Sequence, residues 1–575
     1  MDDNQRSLWT PLLLGLLLVG TYFLYEQTFG GATQPPAPAT NRGGAATAVA
    51  TQGLTDAQRA ARARAQHTFT LRTSELEATF TDRNAALTSL HLLGPKFRDA
   101  NGRPENLVTT DREEFLPLAL DLRGVRIPAD ATWRGEQLSP TAARFTWEGD
   151  GFRVVRKVEA TGGRYQIWST VRVENLGAGR RPVRVVDTLH HYVRRSDEKS
   201  GGFIGRPSPL LSRGVCTSED DEIREDHDSL ADSRGLGPAV HFVGIENTYF
   251  AMAVAAENGR ADRCVLSAQA RFRPGTEEPD GSLFAGELHH PRKLVEGRRD
   301  VVFRSVAYVG PKDMDALTAS GHHFSELVDL GFFSVIARGL IDLLRFIQSH
   351  VGNWGLAIIL LTFLVKLLLY PLTEKSFQSM AKMKVLKPEM DRINEIYADD
   401  REKKGAAIMA LYQKHKINPL AGCLPSLLQM PVWFALYQSL STNIELYHTP
   451  FVGFWQDLSA PDPFYVLPLV LGALMWVQQK MTPSTMDPLQ AKMMLYMMPA
   501  MITVFMLFLP AGLCVYMVTN STLGIAQQKY IQWRLDRASV ASTDTAETAP
   551  SAEAPSTSED PKGDRDKKGT RRGRS

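Results

Sequence analysis

A chain of 575 residues is too long for one compact domain, and with 22% charged residues and a formal net charge of +2 it is too nearly neutral for a nucleic-acid binder, so no specific DNA partner is expected. The mean hydropathy of −0.19 averages unlike regions, the greasy one being the C-terminal third. Four scattered cysteines, with no CxxC or His-rich spacing, imply neither a metal site nor a cofactor.

Residues 1–7 precede an apolar run over 8–25, which is long enough for a marginal transmembrane helix. Its poor basic flank (Arg6 against Asp2 and Asp3) and the lack of a small-x-small site after Tyr25 favour an uncleaved anchor over a signal peptide. Residues 26–60 are rich in Ala, Thr, Pro and Gly and read as a flexible linker. From 61 to 320 the hydrophobic period is two, as in Tyr165 to Val173 and Val301 to Val306, which predicts a large β-sandwich. No nucleophile elbow, phosphate loop or metal motif occurs there, and His190, His191, His289 and His290 read as ordinary surface histidines. Cys216 and Cys264 are open to two readings, a disulfide in an oxidising compartment or two free thiols.

Over 321–352 the period becomes helical, with Phe324, Leu327, Val328, Phe332, Val335, Ile336, Leu340, Leu343, Leu344 and Ile347 on one face. This amphipathic helix could lie along a membrane surface or pack under the β domain. Five further spans are expected at 353–372, 420–441, 464–480, 494–509 and 513–533, the last two split by a turn at Pro510-Ala511-Gly512. With the first, these give a six-span α-helical membrane protein. Residues 373–419 hold ten Lys or Arg and the loop from Ser441 to Pro463 holds none, which places the first segment in the cytoplasm and the second outside. On that count the β region is periplasmic, the N-terminus and the short loop 481–493 are cytoplasmic, and so is a disordered tail over 534–575 with its basic tip. The segment 373–419 carries one stripe of Met383, Leu386, Met390, Ile393 and Tyr397 and a second of Ala407, Leu411 and Tyr412, which predicts a helical hairpin.

Polar residues interrupt the apolar helices in a pattern. Lys366 sits within its segment at a cost of about 2.5–3.5 kcal/mol for a central lysine, so it is a functional candidate, with snorkelling toward Leu372 as the alternative. Thr362 and Thr373 share its face. Ser426, Gln429, Trp433 and Tyr437 fall on one face of the next apolar segment, and Tyr516 and Asn520 are spaced i, i+4 in the last, followed by Gln527. Helix–helix hydrogen bonding, worth about 0.6 kcal/mol on average, would explain each amide or hydroxyl singly but not the cation.

Asn353-Trp354-Gly355, Tyr370-Pro371-Leu372-Thr373, Ser379 to Met383, Asn418 to Pro425, Gln429-Met430-Pro431, Asp457-Leu458-Ser459, Asp462-Pro463, Gln479-Lys480-Met481 and Pro510 to Leu513 together resemble the YidC family of membrane protein insertases (the YidC/Oxa/Alb type). The outer region looks like that family's periplasmic β-supersandwich, around Tyr249-Phe250-Ala251 and Tyr308 to Lys312, and a first span followed by a large outer domain is the arrangement of its Gram-negative members. The resemblance implies a hydrophilic groove open to cytoplasm and lipid, with Lys366 as its cation, where many members have arginine. Thr362, Gln429, Met430, Trp433, Tyr516 and Asn520 would be groove or substrate-contact positions. It also implies nascent membrane proteins as clients, work alone or beside the Sec translocon, and contact with ribosomes through the hairpin and basic tail and with the lipid bilayer. An acidic client tail attracted to Lys366, followed by lateral exit of its apolar helix at about 25 cal/mol per Å² buried, would need no nucleotide. A secondary transporter or a membrane-anchored carbohydrate-acting protein are the alternatives, but no internal repeat or convergent acid–base pair is evident.

Overall fold

Where apolar residues alternate, the chain pairs as strands. The computed structural model describes residues 67–98, 102–110, 112–128, 131–160, 163–194, 212–272, 279–397, 400–415, 424–482 and 488–547, so the expected first span and linker lie outside the described residues. Strands β1 (Thr68–Arg72), β2 (Leu76–Thr81) and β3 (Leu87–Leu92) form a small antiparallel sheet. There follow β4 (Ala119–Arg123), β5 (Arg134–Ser139), β6 (Ala142–Gly149), β7 (Phe152–Glu159), β8 (Gln166–Asn175), β9 (Arg181–Arg194), β10 (Arg213–Ser218) and β11 (Glu222–Glu225). The last six are β12 (Val240–Glu246), β13 (Phe250–Ala256), β14 (Arg263–Phe272), β15 (Pro279–His289), β16 (Lys293–Val295) and β17 (Asp300–Pro311). A nine-stranded sheet runs β11-β10-β12-β13-β17-β8-β7-β6-β5, and a five-stranded sheet runs β14-β15-β9-β16, with β4 also paired to β9.

Strand β7 shows how the period-two pattern works: Phe152, Val154, Arg156 and Val158 turn inward, and three of the four are apolar. Arg156, only 1% exposed, is the exception. Burial is tolerated because its Nε donates to Ser169 Oγ (3.0 Å) and its Nη1 to the carbonyls of Ala85 (3.0 Å) and Leu118 (2.7 Å), with the buried Asp187 carboxylate supplying opposite charge. Desolvation still pulls the guanidinium down to about 10. Burial by itself would raise the Asp187 carboxyl, but the hydrogen bond and charge of His290, then Arg156, hold it below its ordinary value. His290 is therefore no surface histidine: it is 4% exposed and its Nε2 lies 2.8 Å from Asp187 Oδ2. Strand period fixes which face a residue is on, not whether that face meets another sheet.

Cys216 on β10 and Cys264 on β14 are both buried and bonded, which settles the choice left open by the sequence. Their bond ties the nine-stranded sheet to the five-stranded one across 48 residues of chain, a loop long enough for closure to be worth about 2–4 kcal/mol. The double variant Cys216→Ala/Cys264→Ala is expected to lose that much in denaturant unfolding followed by tryptophan fluorescence; unchanged stability would contradict this role.

After β17 come α1 (Met314–Ser320), capped by Asp313, a 3-10 turn at Phe324–Leu327, and α2 (Ser334–Val351). The amphipathic stretch is thus not one continuous helix. Asp329 Oδ1 accepts from the Gly331 N–H at 2.8 Å and Gly331 takes φ +65°, a local turn that competes with helix. On α2, Ala337, Leu344 and Ile347 are buried, while Phe332 just before it and Val335, Leu343 and Phe346 remain exposed.

The remaining helices are α3 (Trp354–Leu368), α4 (Tyr370–Val385), α5 (Lys387–Ile396), α6 (Arg401–Lys414), α7 (Leu424–Thr442), α8 (Val466–Met481), α9 (Pro488–Met506) and α10 (Ala511–Glu547). They overturn the expectation of six transmembrane helices. Among the described residues no single helix is long and apolar enough to cross a membrane; only the bent pair Trp354–Leu368 and Tyr370–Ser379, meeting at 60°, passes that test together. Val466–Met481 and Ala491–Met506 are apolar but short. The physical reasons are local. The second apolar run breaks just before Pro371, α7 dilutes its apolar residues with Gln429 and an internal Pro431, and α10 carries Tyr516, Thr519, Asn520, Ser521, Thr522, Gln527 and Gln528. Helix α10 also continues to Glu547, beyond the expected end at 533.

Helices α5 and α6 pack on each other, burying Met390, Leu411, Tyr412 and Leu386 at the start of α5, with Tyr412 Oη donating to Met390 Sδ at 3.4 Å. Asp400 caps α6 by accepting from the Lys403 N–H.

Several of the motifs that carry the family resemblance join one another at the end of the helices nearest the β domain. Asn353 caps α3 through the Leu356 N–H and donates to the Phe451 carbonyl at 2.8 Å, while a Cβ on Gly355 would lie 2.0 Å from the Phe451 ring. The N–H of Gly512 donates to Leu458 O (2.9 Å) and that of Ala511 to Ala460 O (2.7 Å), which sews the loop before α8 to the start of α10. The same loop docks on the β domain: Ile444 enters its core, and the Tyr447 ring lies 4.9 Å from Tyr249 and 5.5 Å from Phe250.

Candidate functional site

Helix α10 packs against α3, α7 and α8, and its residues 516, 520, 524 and 528 recur every four positions along one face. Each meets a polar group or is one. Tyr516, 2% exposed, lies within hydrogen-bonding reach of Gln429 on α7. One turn on, Gln429 Nε2 donates to Asn520 Oδ1 at 2.6 Å. At Gly524 there is no side chain, and the space is taken by neighbours: an added Cβ would lie 3.5 Å from Gln478 Nε2 of α8 and 3.7 Å from Lys366 Nζ of α3. Gln528 follows, 1% exposed, with both amide atoms unpaired among the described residues.

Four helices therefore converge on a polar seam in an otherwise apolar bundle. Lys366 is half-buried there and has no ion-pair or hydrogen-bond partner among the described residues. A cation so placed is poorly solvated by the protein and attracts any anionic group entering the seam more strongly than it would in water. Beyond it, Arg534 of α10 pairs with Glu374 of α4 at 3.1 Å.

The sequence-predicted residues divide. Lys366, Gln429, Tyr516 and Asn520 come together, and Trp433 stands beside them with its Nε1–H donating to Met517 Sδ at 3.2 Å. Thr362 is buried, but its hydroxyl is spent on the Ile358 carbonyl of its own helix at 2.6 Å. Met430, beside Gln429 in sequence, is 45% exposed. Sequence reasoning missed Gln478, Gly524 and Gln528. The signal for the last two was present, since they continue the i, i+4 spacing from Tyr516 and Asn520, whereas nothing in α8 singles out Gln478 from Gln479.

The β domain is thus joined to an apolar helical bundle that carries a polar, cation-bearing seam, the architecture of a membrane-associated protein with a large β domain. Comparison with known proteins gives the particular family. Residues 346–538 match the family described as "60Kd inner membrane protein" and residues 68–343 match the "YidC periplasmic domain". A "Membrane protein insertase YidC" of Anaeromyxobacter dehalogenans (strain 2CP-1 / ATCC BAA-258) is 39% identical over 480 residues, covering 81% of this chain and 84% of that one. Another, of Nitratidesulfovibrio vulgaris (strain DP4), is 34% identical over 564 residues, covering 92% and 99%. The chain belongs to the YidC family of membrane protein insertases, inner-membrane proteins with a periplasmic domain, and it is an insertase rather than an enzyme. A solved structure described as "Active YidC insertase crystal structure with the first transmembrane domain resolved" overlays 80% of this chain and 91% of its own at 17% identity and a TM-score of 0.34, too loose to bear on any residue. The family match replaces the transporter and carbohydrate-acting alternatives.

Proposed function

We propose that this chain performs its family's insertase activity by admitting the polar tail of a nascent membrane protein to the seam formed by Lys366, Gln429, Trp433, Tyr516 and Asn520, then releasing the attached hydrophobic helix sideways into lipid. The observation that carries this reading is Lys366 Nζ, held beside Gly524 without a partner among the described residues. Acidic groups of the tail are drawn to that charge, and transfer of apolar surface at about 25 cal/mol per Å² drives the exit. Met430 and Thr362 contribute to the wall of the groove rather than to its polar lining. The loop sewn between Leu458 and Gly512 closes the end nearest the β domain. The termini and the basic hairpin over 373–419 face the cytoplasm, where the hairpin and basic tail receive ribosomes and clients, and the chain acts alone or with the Sec translocon. The test is purified chain in vesicles supplied with a single-span client. A protease-protected client fragment is expected only in vesicles that contain the chain; equal protection in empty vesicles would overturn the proposal.

A further inference from the structure

Spacing along the chain implied no metal site, yet the fold brings together two histidines 82 residues apart in sequence. His241 lies on β12 and His323 immediately precedes the 3-10 turn that leads toward α2. Their rings stack face to face, with centroids 3.7 Å apart and planes 9° apart. Both Nδ1 atoms approach the same carboxylate, that of Glu326: His323 at 3.0 Å and His241 at 3.9 Å. The two partners are unequal. His323 and Glu326 are 52% and 39% exposed at the side chain, whereas His241 is 8% exposed overall and its Nδ1 is buried without a hydrogen-bond partner among the described residues. An orphan ring nitrogen aimed at a carboxylate and at a second imidazole calls for an explanation that ordinary packing does not give.

We propose that His241, His323 and Glu326 form a binding site for a divalent transition-metal ion of the zinc type, which clamps the β domain to the segment that leads into the helical bundle. The donor set fits: two neutral imidazole nitrogens and one carboxylate oxygen suit a tetrahedral ion of borderline softness, with water in the fourth position. The three ligand atoms lie within 4.8 Å of one another. Bonds of about 2.0–2.2 Å to zinc place tetrahedral ligands about 3.3 Å apart, so the widest gap has to close by no more than about 1.5 Å. Near-parallel stacked rings cannot both point an in-plane Nδ1 lone pair at one ion, so His323 must also turn out of the stack; it and Glu326 are exposed enough to make that adjustment, while buried His241 supplies the fixed point. Arg224, whose Nη2 donates to the Glu326 carbonyl at 2.7 Å, brings a positive charge nearby, but Glu222 and Glu246 pair with it.

The experiment uses the full chain in detergent, purified without a polyhistidine tag and stripped with chelator, titrated with zinc against a chromophoric chelator. One zinc per chain is expected at the site. His323→Ala and Glu326→Gln, both at exposed positions that leave the core intact, are each expected to weaken it at least tenfold. Cobalt(II) in place of zinc should give visible absorption bands characteristic of tetrahedral coordination, and His323→Ala should abolish them. Zinc should also raise the thermal midpoint of the unsubstituted chain and not that of His323→Ala. Absence of zinc binding by the unsubstituted chain, or equal stoichiometry and affinity in His323→Ala with its fold retained by circular dichroism, would overturn the proposal.

Discussion

Replacing Lys366 by alanine is expected to lower translocation of a client with an Asp- or Glu-bearing tail by roughly tenfold, because an attraction of about 1–4 kcal/mol for a charge pair near a protein surface disappears. A neutral-tailed client should lose much less, since the polar seam and the apolar exit remain. Arginine at this position should be tolerated, as the charge is kept although the hydrogen-bonding geometry changes. Glutamate should be worse than alanine for acidic tails through repulsion. The measurement is protease protection of matched single-span clients differing only in tail charge. Equal behaviour of Lys, Arg, Ala and Glu for both tails would return Lys366 to snorkelling and remove it from the mechanism.

The largest effect on stability is expected at Asp187. Its substitution by Asn leaves Arg156 charged in a buried site without its counter-charge and gives His290 a neutral amide in place of a carboxylate, a type of change that costs about 3–5 kcal/mol. For a domain of this size each kcal/mol lowers the melting midpoint by roughly 2–4 °C. The pH dependence follows from the direction of the shift. The Asp187 carboxyl is held below its ordinary 3.8, so its contribution is fully present above about pH 4 and is lost as pH falls through the depressed folded value. The Asn variant should therefore melt lower at neutral pH and lose less on acidification than the unsubstituted chain. Calorimetry at pH 7 and pH 3 checks both, and an unchanged neutral midpoint would contradict the assignment.

Patterns confined to one element were legible in the sequence, and relations between elements were not. Period two announced the strands, because it reports only which way neighbouring side chains point. The i, i+4 pair Tyr516 and Asn520 similarly marked the polar face of α10. That Gln429 reaches Asn520, that Gly524 leaves room for the Lys366 ammonium, and that Tyr447 seats on Tyr249 all depend on helix crossings and docking that no local pattern encodes. His290 misled for the same reason, since its counterpart Asp187 is 103 residues away. The six-span expectation failed on a different count: it summed hydropathy over runs and did not weigh the break before Pro371 or the polar content of α10.

The central claim is that clients pass along the seam between α3, α7, α8 and α10. A photoreactive residue in place of Gln429 or Trp433, irradiated in the presence of ribosome-held nascent membrane proteins, tests it most directly. Abundant adducts from both positions, exceeding those from a probe at Leu368, which is 78% exposed on another face of α3, are the predicted result. Adducts no more frequent at Gln429 and Trp433 than at Leu368 would contradict it.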